Sequence, residues 1–296
     1  MTRGTCLWLG AAAVFAAMGS EPALARRRPN VSIRGDSPAA DCRALHITFD
    51  GRDAIVRTEE RTVTRAEAPT LRVEADPNGG LQVQGWDRDT YSVALCKAAA
   101  AGSAAEGRLD QVKLSLTGGV LTVAGSSHDE DLTTFLLIHA PKAAALDMRV
   151  KNGPMSLYDT EGKVVGRAEN GPVSARGCKG ELDLAAENGP VSSEDNTGSL
   201  RLRSENGPID VSLQGDSWIG SGLDAHTENG PLTLRLPEGY KSGVVVEADG
   251  GGPFRCHASA CTGARRTWSE DHKRIEFGAG PAKVHLSVVN GPVSVD

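Results

Sequence analysis

Residues 146–213 read LDMRVKNGPMSLYDTEGKVVGRAENGPVSARGCKGELDLAAENGPVSSEDNTGSLRLRSENGPIDVSL. Asn-Gly-Pro returns in this stretch at Asn152, Asn170, Asn188 and Asn206, 18 residues apart each time, then at Asn229 after 23 residues and again at Asn290. A degenerate copy, Gly251-Gly252-Pro253, falls between the last two. The apolar residues keep the same period. Before the turn the columns are Leu146, Val164, Leu182, Leu200, then Met148, Gly166, Leu184, Leu202, then Val150, Ala168, Ala186, Ser204. After it come Met155, Val173, Val191, Ile209 and Leu157, Ala175, Ser193, Val211. Within each run these positions alternate with polar ones, the signature of strands with one buried face. Gly162, Gly180 and Gly198 mark a second turn.

Each unit is therefore strand, Asn-Gly-Pro turn, strand, glycine turn. Asn-Gly between alternating runs also suits an antiparallel hairpin. Columns of matched size favour a coil in which each unit lies on the one before, because like residues then sit about 4.8 Å apart and must fit one another, and stacked asparagines hydrogen-bond along the column. Proline removes one backbone donor where strand pairing begins, a tolerated place for it. The sequence thus predicts an all-β fold, a parallel β-solenoid (β-helix) with 18–23-residue rungs. The five extra residues of the fifth unit lie between Gln214 and Gly222, which leaves its strands in phase. Weaker copies lie upstream, around Asn78-Gly79-Gly80 and Gly118-Gly119. The alanine-rich run from Cys96 to Gly107 suggests a short helix. Residues 26–40, with Pro29, Gly35 and Pro38, read as a flexible leader.

The rungs AENGPVSARGCKGELDLAAENGPVS, preceded by GGLQVQGWDRDTYSV and by IHAPKAAALDMRV, resemble the bacterial putative-adhesin family, over roughly Thr70 to Asp296. The proline after nearly every Asn-Gly departs from the family, which more often has a polar residue there. The resemblance implies a single-sheet-wrapped β-solenoid at the cell surface or in the periplasm, and it implies no catalytic residues.

The N-terminus sets the address. Arg3, the uncharged run of residues 5–18 and Ala23-Leu24-Ala25 form a signal-peptide pattern over residues 1–25, although Arg26-Arg27-Arg28 just beyond it resists translocation. The apolar run of 14 residues is too short to span a bilayer, which needs about 20, and no later segment is longer. The organisation read from the sequence is a signal peptide over 1–25, a leader and strands over 26–69, and the repeat domain over 70–296. A net charge of −6 gives nucleic acid no basic face to bind. Export makes disulfides available. Cys42 with Cys96 and Cys256 with Cys261 are the expected pairs, leaving Cys178 over.

Several constellations could carry chemistry. Glu169, Glu187, Glu205 and Glu228 each precede a repeat asparagine. Stacked, they would repel by about 1 kcal/mol per neighbouring pair in water, and an oxygen-lined column suits calcium. The plainer alternative is a solvated turn whose carboxylates splay apart. Cys256-His257 with Cys261 and His272 could bind zinc, but its spacing matches no standard module and an exported chain favours the disulfide. His128-Asp129-Glu130-Asp131 reads as a charged loop. Trp86, Trp218, Trp268, Tyr91, Tyr158 and Tyr240 do not recur with the period, so they predict no sugar-stacking groove. No nucleophile elbow, phosphate loop or zinc-protease motif occurs.

The expectation is a non-catalytic envelope protein with no cofactor: a structural or adhesin-like surface with an envelope or cell-surface partner, protein or polysaccharide, and without a membrane span. The alternative is a β-helical polysaccharide-active enzyme, a lyase or hydrolase whose carboxylates meet only in space.

Overall fold

The computed structural model describes residues 30–35, 38–102, 104–125 and 129–296. The signal-peptide pattern over 1–25, with Arg26-Arg27-Arg28, lies outside the described residues.

Each repeat contributes a long arm and a short arm. The long arms are Ala145–Asn152, Lys163–Asn170, Glu181–Asn188, Ser199–Asn206 and Gly222–Asn229. The short arms are Met155–Tyr158, Val173–Arg176, Val191–Glu194, Ile209–Ser212 and Leu232–Arg235. Successive long arms pair in parallel with like residue against like, Leu182 on Leu200 and Leu184 on Leu202. The short arms do the same, Val173 on Val191 and Val191 on Ile209. The long arms belong to a sheet of 12 strands and the short arms to a sheet of 11. The inward columns of both fill one continuous core, with Met148, Met155, Leu157, Leu184, Leu202 and Leu234 all fully buried. Each such side chain contributes about 1.5–3 kcal/mol, so every added repeat extends the core by a similar amount.

Two glycine columns allow the repeats to lie this close. A Cβ on Gly171 would fall 2.1 Å from the Gly153 carbonyl oxygen, and one on Gly180 would fall 2.0 Å from that of Gly162. Close backbone approach, rather than handedness of the turn, excludes a side chain at these positions.

The expected parallel β-solenoid over 70–296 is corrected: the chain forms two large mixed sheets, and all-β is the part of that expectation that holds. Antiparallel pairing frames the parallel repeats at both ends. Thr90–Ala99 pairs antiparallel with both Leu132–Pro141 and Ile55–Thr64, and Ser242–Asp249 pairs antiparallel with His272–Phe277. The spatial order also departs from the chain order. The C-terminal repeat, Ala279–Asn290 and Val293–Val295, lies between the fifth repeat and the degenerate one: its long arm separates Gly222–Asn229 from Ser242–Asp249, and its short arm separates Leu232–Arg235 from Phe254–Cys256. The 18-residue period covers only the middle of the chain. Outside it, strands of ten residues such as Thr90–Ala99 carry no Asn-Gly-Pro stop, and they pair with whichever neighbour their apolar face fits.

Two local expectations also change. Thr90–Ala99 takes the first residues of the alanine-rich run, Cys96–Ala99, into a strand, and the helix, Ala105–Gln111, begins only near the end of that run. Part of the anticipated leader, Val31–Gly35, is a strand that joins Leu45–Phe49 and Arg52–Asp53 in a small antiparallel sheet. That sheet and the turn between its first two strands pack on the outer side of the 11-stranded sheet, where Cys42 and Cys96 lie in a cluster with Ala39, Phe135 and Leu137.

Candidate binding faces

The turn column comes first because the repeat builds it directly. Asn170 Nδ2 donates to Asn152 Oδ1 at 3.0 Å, Asn188 to Asn170 at 3.1 Å and Asn206 to Asn188 at 3.1 Å. Asn229 continues the ladder to Asn206 at 3.2 Å and Asn290 to Asn229 at 3.1 Å. Upstream, Asn152 Nδ2 donates to Asn78 Oδ1 at 3.4 Å and to the Pro77 carbonyl at 2.8 Å. All donors point the same way, and aligned amides of this kind polarise one another. The proline carbonyls extend the edge: that of Pro172 accepts from Met155 N and that of Pro190 from Val173 N, each at 2.9 Å.

The outer face of the 12-stranded sheet carries charge in rows across the strands. Glu169, Glu187, Glu205 and Glu228 are all exposed. Beside them, two residues earlier in each strand, run Arg167, Ala185, Arg203 and His226 in register. These two rows border an open groove of about 460 Å³. Glu169 meets Lys151 at 3.7 Å, whereas Arg167 turns away from the glutamates to Asp183 at 3.0 Å. Among the described residues no group of three or more His, Cys, Asp or Glu side chains is placed to hold a metal ion.

The same face ends in an ion-pair network at the inserted C-terminal strand. His285 Nε2 lies 2.8 Å from Glu247 and its Nδ1 lies 3.8 Å from Asp224, so one side chain ties the strand to both neighbours. Arg274 bridges Glu247 and Glu276. Burial alone would raise the Glu247 pKa, but hydrogen bonds from His285 and Arg274 outweigh it and hold the carboxyl below its usual range.

The outer face of the 11-stranded sheet carries an open groove of about 470 Å³. Ser156, Ser174, Ser192, Asp210, Thr233 and Ser294 form one outward row in register, with Ser174 Oγ donating to Ser156 Oγ at 3.0 Å. Arg176 with Glu194 at 3.3 Å and Arg235 with Asp210 at 3.6 Å border it. Sequence reading missed this row. Its signal lay in the polar residues between the buried columns, which repeat as faithfully as the columns themselves.

The remaining sequence candidates separate in space. Cys42–Cys96 and Cys256–Cys261 are disulfide-bonded, and Cys178 is free and buried. His257 meets Asp296 at 3.1 Å and His272 meets Asp249 at 2.7 Å, so neither histidine joins the cysteines. Burial, ahead of the nearby polar contacts, raises the Cys178 thiol pKa and keeps it protonated. His128 lies outside the described residues. Asp129 and Asp131 of the same loop meet Arg108, at 3.4 and 2.9 Å. Trp86 stacks on His139 with ring centroids 5.3 Å apart, and Arg88 lies 4.7 Å over its ring. Tyr91, Tyr158, Trp218 and Tyr240 are buried, whereas Trp268 is exposed.

No family model and no curated protein matches this chain. Several solved structures are similar to it. One, described as a "putative cell adhesion protein" from Clostridium sporogenes, is 12% identical, with 81% of this chain and 99% of that chain covered and a TM-score of 0.35. A "putative adhesin" from Parabacteroides merdae is 12% identical, covering 81% of this chain and 96% of that one, with a TM-score of 0.38. A "putative lipid binding protein" from Parabacteroides distasonis is 9% identical, covering 81% and 96%, with a TM-score of 0.33. At scores this low the likeness carries no functional argument for this chain.

Proposed function

We propose that this is a non-catalytic, exported protein of the cell envelope, a rigid scaffold that offers periodic side-chain rows to an envelope or cell-surface partner. The observation that carries the reading is the like-on-like register of five consecutive repeats. It sets corresponding groups about 4.8 Å apart on broad outer faces, a spacing that suits an extended, repeating ligand better than a single small molecule. Two disulfides favour an oxidising compartment, in keeping with the N-terminal export pattern, and no helix among the described residues is long and apolar enough to cross a membrane. Periplasm and cell surface both satisfy these observations.

The test is a panel of envelope polysaccharides and envelope protein extracts, scored for binding by the purified chain and for release of reducing ends. Saturable binding without new reducing ends supports a binding role. Release of reducing ends would replace it with the polysaccharide-active alternative. Cell fractionation of the native protein checks the address.

A further inference from the structure

The 12-stranded sheet extends two strands beyond the 11-stranded one at its C-terminal end. Phe254–Cys256 is the last strand of the shorter sheet, while His272–Phe277 and Arg265–Trp268 continue the longer one past Ser242–Asp249. Register fixes which side chains face inward on this overhang. Trp268 is opposite Lys273, which is opposite buried Ala248, and Arg266 is opposite buried Ile275. Trp268, Arg266 and Lys273 therefore occupy the core-facing side of a hairpin that has no opposing strand to cover it.

The consequence is an exposed aromatic ledge flanked by two cations. Trp268 is 54% exposed, with its ring centroid 6.0 Å from that of Phe254. Arg266 donates to the Cys261 carbonyl at 3.3 Å and Lys273 to the Gly252 carbonyl at 2.5 Å, contacts that position the cations without neutralising them. Arg266 and Lys273 have no carboxylate partner among the described residues. Arg265 and Arg274, on the other face of the hairpin, are paired with Glu276 and Glu247, so Arg266 and Lys273 are the cations the ledge leaves to a ligand.

We infer that this ledge binds an anionic polysaccharide. Trp268 stacks against the C–H face of a sugar ring, and Arg266 and Lys273 receive the carboxylate or sulfate groups of that ring and its neighbours. The inference rests on the non-catalytic binding reading above and names its ligand class. A lipid surface fits less well, because the other exposed large apolar side chains among the described residues, Val31 and Ile219, belong to the N-terminal sheet and to the connection after the fourth repeat.

The experiment uses the intact chain and polygalacturonate, with dextran as the neutral glycan, polyglutamate as an acidic peptide and phosphatidylglycerol vesicles as an anionic membrane. Tryptophan fluorescence and affinity electrophoresis read the binding. Polygalacturonate is expected to bind more tightly than the other three, with an affinity that falls as salt rises. Trp268→Ala and Arg266→Glu should each weaken it by at least about tenfold while leaving thermal unfolding unchanged, since both side chains are exposed. The inference is overturned if polygalacturonate does not bind, or if polyglutamate or the vesicles bind as tightly. If another glycan in the panel binds and Trp268→Ala leaves it intact, the ledge is wrong and the general binding reading survives.

Discussion

Replacing Gly171 with alanine tests whether the repeats are in contact along their backbones. The new Cβ would lie 2.1 Å from the Gly153 oxygen and 2.7 Å from its carbonyl carbon, against ordinary contact that begins at 3.4 Å. The opposing atoms are backbone, so no side chain can swing aside, and the two turns must separate by roughly 1 Å. That movement strains the Met155 N to Pro172 O bond at 2.9 Å and the Asn170 to Asn152 bond at 3.0 Å. Overpacking of this kind costs about 1–3 kcal/mol, and one weakened hydrogen bond adds about 1. For a chain of this size the expected fall in Tm is about 5–15 °C, read by circular dichroism or calorimetry. Gly107→Ala is the control: it lies in the helix with nothing within 4 Å of its Cβ, and it should gain about 0.5–1 kcal/mol. A Gly171→Ala protein that melts with the wild type would refute close stacking at this turn.

Other outcomes follow from particular contacts. Asn196→Ala removes the acceptor of Cys178 N at 2.7 Å and the donor to the Ala175 carbonyl at 2.8 Å; two buried groups left unpaired should cost about 2–4 kcal/mol in denaturant unfolding. Opening the Cys42–Cys96 bridge, with a sequence separation of 54, should cost about 4 kcal/mol and uncover Phe135 and Leu137, which dye binding would report. Buried Lys97 meets Glu59 at 3.0 Å. Burial works against charge on Glu59, but the Leu114 N–H and Lys97 outweigh it and lower its pKa. A lowered carboxyl pKa contributes stability above its unfolded value, and this is lost as pH falls through the folded one, so the window opens below about pH 4.5. Glu59→Gln should flatten that acid limb in a titration of unfolding midpoints. Cys178 should resist alkylation in the native protein and react fully on unfolding, as followed by mass spectrometry.

The middle of the molecule was legible because one period governs it. Matched columns such as Leu182 with Leu200 required like-on-like contact; of the disulfide pairs expected on export, closeness in sequence pointed to Cys256 with Cys261, whereas Cys42 and Cys96 shared only the N-terminal part of the chain. The ends were less legible for a physical reason. Ala279–Asn290 carries the same alternation as every long arm, and alternation specifies a buried face but not a neighbour, so nothing in it declares that the strand enters between the fifth and degenerate repeats. His285, which bonds across that junction, looks like any polar residue on an outward position. The binding candidates show the same division. The glutamate row was visible as a sequence column. The exposure of Trp268 was not, because it depends on one sheet outrunning the other.

The most direct measurement of the central claim, that consecutive repeats lie on one another in parallel register, is a cross-link between neighbouring short arms. Ser174 and Ser192 are direct partners on an outward row, about 4.8 Å apart along the stack and within reach of a disulfide. The double variant Ser174→Cys, Ser192→Cys should oxidise readily to an intramolecular bridge, while Ser174→Cys, Asp210→Cys, two repeats apart, should not. Failure of the first pair, or equal bridging in the second, would contradict the register on which the faces, the asparagine ladder and the binding proposal are built.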